Sequence, residues 1–266
     1  MPPTTAQFVL LGCSVAFFAV ASVCSLVRLQ RPGRTVRVVG RLSAALGAGA
    51  AAFVLAWHSA ARQNWLPLGD NFDSLIWLAL LLGLFALYVQ RTAPLAGLDC
   101  FVLPTIVVLL TSAGLLGRLE FHAYVDSAWV WAHRASSYAG AALFVVAAAA
   151  GSTWLVADRR LRRKRPAGPV GNLERLDALT RRAVVVGFAL LSVGLATGLV
   201  RWLGEGRQTS TGKIVMASAA WALYAAMLHT PWSPGVRGRR AAVLSIVGLA
   251  MMALTLAAAV PLGGGG

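Results

Sequence analysis

Eight stretches of the chain, at 7–28, 38–58, 72–90, 98–117, 129–157, 183–203, 213–230 and 240–261, are almost wholly apolar, and most are close to 20 residues long. Twenty helical residues rise about 30 Å, the thickness of a bilayer's hydrocarbon core. In lipid the backbone has no water to bond to, so a single apolar segment crosses only as a helix that satisfies its own N–H and C=O groups. Charged residues make up 12% of the 266, and 58% are hydrophobic. A soluble domain carries about 25% charged residues, so this chain has too little polar surface to cover a water-facing globule. The expectation is an all-α polytopic membrane bundle of about eight transmembrane helices, with no soluble domain between them.

The net charge of +15 would suit a nucleic-acid partner if the cations formed one stripe or module. They lie instead between the apolar blocks, where basic residues record orientation and meet anionic lipid. Eighteen of the 24 Lys and Arg residues fall in the odd-numbered loops. The first loop holds Arg28, Arg31, Arg34, Arg37 and Arg41, and the fifth holds the run Arg159 to Arg165. Positive loops stay in the cytoplasm, so both termini are expected outside, and the partner is the lipid bilayer, with no nucleic acid. Within the fifth loop, Asn172 is positioned to cap a short helix through Leu173 to Leu176. Trp57, Trp65, Trp129, Trp131 and Trp202 then fall near the outer interface, and Trp154 and Trp232 near the inner one. Gly194 and Gly198, four apart in the sixth block, signal close helix approach.

Cys13 and Cys24 are about 16 Å apart along one helix, beyond disulfide reach. With Cys100 they read as structural thiols, since no C-x-x-C or C-x-x-C-H occurs. Leu10 to Cys13 loosely resembles a lipoprotein cleavage box. The first basic residue is Arg28, however, so the first block reads as an uncleaved span.

Ionisable groups beside membrane helices are the places to look for chemistry. The topology puts His58 at the outer end of the second span, His122 in the fourth loop outside, and His133 one turn into the fifth span from outside. His229 ends the seventh span on the cytoplasmic side. Imidazole is a common haem-iron ligand, and two can hold one iron from both faces. A pair drawn from His58, His122 and His133 is geometrically open, as is the reading that each is an ordinary interfacial histidine. His133 stands in Trp129-Val130-Trp131-Ala132-His133-Arg134, which supplies flat aromatic surface and a cation for a propionate. Asp70, Asp73 and Asp126 fall in outer loops with nothing pairing them as an acid–base couple. No H-E-x-x-H, G-x-S-x-G or P-loop is present, so no catalytic residue is assigned.

Several segments resemble the cytochrome c assembly transmembrane family of CcsA/ResC type and its HemX-like relatives. Trp65 to Leu75 looks like that family's "P-L-S-N-x-Y-E-S-L", with Pro67, Asn71 and Ser74 in place and Phe72 and Asp73 for Tyr and Glu. Ala132-His133 through Ser137-Tyr138-Ala139 looks like its "H-V…S-Y-A". Leu173 through Gly198 resembles "L-D-x-L-x-Y-R…G-F…L-T-x-G…G". Trp221, Tyr224, Leu228-His229-Thr230 and Gly238-Arg239-Arg240-Ala241 resemble "W…Y…L-H-T-R…G-R-R-A". The similarity runs in order over roughly residues 40–258. Two features depart from it. The family's tryptophan-rich "W-G-x-x-W-x-W-D" loop is replaced by Arg201 to Lys213, with one Trp and no Asp. The histidine of "L-H-S-Y-G" after the last span has no counterpart. HemX-like relatives also lack the tryptophan-rich loop, which points toward that branch.

The resemblance implies a haem-binding, haem-handling protein of c-type cytochrome assembly, not an enzyme, in the inner (plasma) membrane beside a ResB/CcsB-like subunit. It implies His133 as an iron ligand, and His58 and His229 as within-membrane histidines that touch haem on its way through, while His58 and His122 stay candidate partners of His133 by position. Trp129, Trp131 and Arg134 would flank the group, and Arg118 and Arg201 could join Arg134 on propionates. Residues 1–37 then form a first span with its basic loop, 38–262 the assembly-type transmembrane domain, and 263–266 a disordered tail. Two other readings stay open. One is a HemX-like accessory or regulator of tetrapyrrole synthesis. The other is a small-solute transporter with Arg134, Asp99 and Arg201 along a pathway, although no internal repeat marks one.

Overall fold

The computed structural model describes residues 3–31, 33–61, 68, 71–92, 96–116, 128–164, 172–204, 211–229 and 238–257. These form eight α-helices and, among the described residues, no strand. The helices are α1 (Thr5–Gln30), α2 (Arg34–Ala61), α3 (Asn71–Thr92), α4 (Ala96–Leu116), α5 (Ala128–Arg162), α6 (Leu173–Gly204), α7 (Thr211–His229) and α8 (Arg239–Ala257). Each apolar block falls on one helix. On the described residues α1 to α6 are long and apolar enough to cross a membrane. The 19-residue helices α7 and α8 are about 28 Å long and pack in the same bundle as α5 and α6. The all-α polytopic architecture expected from the sequence is the one observed.

Local chemistry sets the helix ends. Thr4 caps α1 in a reciprocal box: Gln7 N–H donates to Thr4 Oγ1 at 3.4 Å, and Thr4 N–H donates to Gln7 Oε1 at 2.8 Å. Asn172 Oδ1 accepts from Glu174 N–H at 2.8 Å, so the expected cap is real. The helix it caps is not short, because α6 runs unbroken to Gly204. No Gly or Pro interrupts residues 173–186, and the exposed Arg181 and Arg182 let that turn continue into the apolar stretch. α5 likewise extends past its apolar block to Arg162, placing Arg159, Arg160 and Arg162 in its last turn, where cations offset the helix dipole.

The chain divides into two compact units, one comprising Met1–Val125 with Val156–Arg175 and the other Asp126–Leu155 with Leu176–Gly266. In the first unit α1 packs on α2 and α4, and α3 packs on the same two, closing a four-helix bundle. Without a hydrophobic drive inside lipid, such helices associate through close packing of small residues and interhelical hydrogen bonds. α2 supplies the small face, burying Ser43, Ala44, Gly47, Ala48 and Ala51. Ser14 on α1 donates to the Gly47 carbonyl at 2.8 Å, and the Phe18 ring lies between Gly47 and Gly83. Val20, Val23, Leu42, Leu46 and Phe53 point outward, as lipid-facing side chains do.

In the second unit α5 and α6 run antiparallel and in close contact, with Gly140 against the Gly187 carbonyl and Gly198 against His133. Trp221 of α7 donates from Nε1 to Ser192 Oγ of α6 at 2.9 Å. Tyr224 of α7 stacks on Phe144 of α5, centroids 3.7 Å apart and planes 9° apart. α8 lies along α5, Ser245 Oγ donating to the Ala147 carbonyl at 3.4 Å and Gly238 meeting the Trp154 ring.

Charge gathers at one end of each unit. In the first, the α1 C-terminus with Arg28 meets the α2 N-terminus with Arg41 and the α4 N-terminus with Asp99. In the second, Gly238 N–H donates to Asp177 at 3.4 Å, bringing the α8 end with Arg239 and Arg240 to the α6 end with Arg181 and Arg182. This segregation is the three-dimensional form of the loop-charge bias.

Candidate functional site

His133 sits in the second turn of α5, where its ring reaches α6. Nδ1 is 2.7 Å from the Gly194 carbonyl oxygen and 3.4 Å from Thr197 Oγ1. A carbonyl can only accept, so the bond at 2.7 Å requires Nδ1 to carry the proton. In a neutral imidazole the lone pair then resides on Nε2. A methyl group on Gly198 would lie 2.9 Å from Cε1 and 3.1 Å from Nδ1, against 3.8 Å from Nε2. The ring therefore rests on bare backbone with its Nδ1 edge toward α6. The Gly194–Gly198 pair does allow close helix approach, as the sequence suggested, and the side chain admitted is the histidine.

Near His133 in the sequence, Trp129 is 59% exposed and Trp131 41% exposed, but Trp131, two positions before His133, falls on the other side of α5. Trp129 is one helical turn before His133 on the same face, and Arg134 follows it, half-buried. An imidazole, an aromatic surface and a guanidinium are the kinds of group that could hold a haem and its propionates. Among the described residues no three His, Cys, Asp or Glu side chains converge as a bare-metal site.

The other histidines are placed differently. His58, at the end of α2, is 1% exposed and has Nδ1 3.5 Å from Oδ1 of Asp73, itself fully buried. Its ring lies 5.3 Å from that of Phe72, which meets Phe8 edge-on at 5.9 Å. His58 is thus an interior side chain of the first unit, paired to a carboxylate. His229 is the exposed last residue of α7. From the Trp221–Ser192 contact it lies eight residues one way and the Gly194–Gly198 seat lies two to six the other. His133 and His229 are therefore roughly 18 Å apart along the bundle and cannot hold one iron together. His122 and Arg118 lie outside the described residues, as do the side chain of Arg201 and the tail 263–266.

Sequence reasoning missed two pairings. Asp73, an outer-loop acid by its place in the sequence, is in the first turn of α3 and faces His58. The signal was its place opposite the family's Glu, at the same bundle end as His58. Asp99, weighed as part of a transport pathway, instead meets Arg28, Nη1 to Oδ2 being 3.7 Å.

Comparison with known proteins extends this picture. The chain matches the family described as cytochrome C assembly protein over residues 68–258, which takes in α3 to α8. Cytochrome c biogenesis protein CcsA of Synechococcus sp. (strain CC9605) is 43% identical over 84 residues, covering 30% of this chain and 27% of that relative. In that match the chain spans about a quarter of the relative's length. The protein of the same name from Synechococcus sp. (strain CC9902) is 28% identical over 290 aligned residues, 94% of this chain and 89% of the relative. That from strain CC9311 is 28% identical over 249, covering 76% and 77%. With its eight-helix apolar fold and the family match across more than half its length, this multi-pass membrane protein belongs to the cytochrome c assembly family.

Proposed function

We propose that the protein binds haem and handles it for c-type cytochrome assembly, with His133 as an iron ligand. The observation that carries this reading is the bond from His133 Nδ1–H to the Gly194 carbonyl, which leaves the lone pair on Nε2. Metal-bound histidines commonly anchor their other nitrogen in this way. Haem bound there would supply an iron that takes an imidazole nitrogen as ligand. Trp129, one turn before His133 on the same face, would offer the group aromatic surface, and Arg134 would offer a propionate a charge-assisted hydrogen bond. No side-chain nucleophile takes part; the protein holds or passes its cargo without making or breaking covalent bonds. The relatives are named for cytochrome c biogenesis, which supports the same assignment.

Within this reading His58 is a bundle-internal residue held by Asp73, and His229 is a separate contact at the opposite end of the second unit. A ResB/CcsB-like subunit is the partner, and the inner membrane the location. A second reading, an accessory of tetrapyrrole synthesis, is favoured only by the stretch 201–213, which carries a single tryptophan.

The test is a visible spectrum of protein purified in mild detergent, with and without added haem. A Soret band lost in His133→Ala and kept in His58→Ala supports the assignment. Absence of any band in the wild type after haem addition overturns it.

A further inference from the structure

The face of α6 formed by Gly194, Thr197 and Gly198 does more than let two helices approach. Thr197 Oγ1 is 2.7 Å from the Val193 carbonyl and 3.0 Å from the Gly194 carbonyl. Its single proton is committed to those oxygens, so toward Nδ1, at 3.4 Å, it can offer only a lone pair. Both α6 groups facing Nδ1 are therefore acceptors, and both select the tautomer with the proton on Nδ1. The space for this arrangement comes from two absent side chains. A methyl on Gly198 would enter the imidazole at 2.9 Å from Cε1, and one on Gly194 would lie 2.6 Å from Ser137 Oγ of α5. Either would push α5 outward and lengthen the 2.7 Å bond. On the α5 side, Ser136 Oγ donates to the Ala132 carbonyl at 2.6 Å, so that hydroxyl is turned back on its own helix.

We infer that Gly194, Thr197 and Gly198 are positioning residues: a seat that fixes His133 as the Nδ1–H tautomer and makes Nε2 its ligating nitrogen. This rests on the reading of His133 as an iron ligand, but the seat itself is testable without haem. It gives a chemical purpose to a spacing that by itself signals only helix packing.

The primary measurement is nitrogen-15 NMR of histidine-labelled, haem-free protein in detergent, with the His133 signals assigned by their loss in His133→Gln. A proton on Nδ1 and none on Nε2 are expected. A proton on Nε2 overturns the seat, whatever haem does. The second measurement compares Thr197→Val with Thr197→Ser, two variants that keep helix and volume close to the original. Outer partners of a ligating histidine are worth ten- to a hundredfold in metal affinity. Valine should therefore weaken haem binding about tenfold and serine restore it, with thermal unfolding of the two alike. Equal haem affinity in both overturns the role of Thr197. If Nδ1 carries the proton and the wild type takes up no haem, the seat stands and the haem reading falls.

Discussion

Arg28 and Asp99 face each other across the seam between α1 and α4, Nη1 3.7 Å from Oδ2, with their side chains only 14% and 3% exposed. Arg41 and Gln90 are further electrostatic neighbours of Asp99, and Arg41 Nη2 also donates to the Gln90 carbonyl at 2.6 Å. The four residues tie together the charged end of the first unit. Removing one member of a buried pair strands the other charge, which costs more than the pair contributes. Asp99→Ala should lose about 2 kcal/mol or more of stability. The double variant Arg28→Met with Asp99→Leu should recover most of it, because neither charge is then buried alone. Thermal unfolding in detergent reads both, and a double variant no better than the single one contradicts the pairing.

Phe18 makes a different kind of joint. Its ring carbons would lie 2.8 Å from a methyl on Gly47 and 3.0 Å from one on Gly83, so α1, α2 and α3 meet over two glycines. Overpacking of a filled core costs typically 1–3 kcal/mol. Gly47→Ala should destabilise by about that much, and a smaller side chain in Phe18→Leu should offset part of the loss. Additive losses in the combined variant would show that ring and glycine do not share this space.

The spans were legible because a bilayer demands about 20 apolar residues in a row and the sequence provides eight such runs. Charge segregation was legible too, as it is written in the loops. What the sequence could not show was which side chains meet. Asp73 and His58 are fifteen positions apart on different helices, and only the antiparallel pairing of α2 with α3 brings them together. His133 could be singled out from its neighbours Trp129 and Trp131. Its tautomer could not, because that depends on a carbonyl of α6 sixty-one residues away. The Gly194–Gly198 spacing was visible in the sequence, but spacing does not say what fills the gap.

Tyr224 is buried in the second unit, and its hydroxyl has no hydrogen-bond partner among the described residues. A buried hydroxyl without a partner carries its desolvation cost and returns nothing. Tyr224→Phe keeps the ring stacked on Phe144 and removes the polar atom, so it should stabilise by about 1 kcal/mol. Gly248→Ala should do the reverse, since the added methyl would enter the Tyr224 ring. If Tyr224→Phe instead weakens the fold, the hydroxyl bonds a group brought in from elsewhere in the chain. Midpoints from differential scanning fluorimetry are sufficient for both.

Orientation decides which compartment His133 faces, since His229 lies at the far end of the same bundle. The cations concentrate at the ends where α5 stops and α6 and α8 begin, and positive ends remain in the cytoplasm. His133, one turn into α5 from its other end, then faces the outer side. In a variant with Cys13, Cys24 and Cys100 replaced by Ala, two single cysteines test this. Lys164→Cys and Thr5→Cys both sit at exposed positions, next to the basic end of α5 and at the start of α1. A membrane-impermeant maleimide should label the first only in inverted vesicles and the second only in right-side-out vesicles. The opposite pattern would turn the bundle over and place His133, with any haem it holds, on the cytoplasmic side.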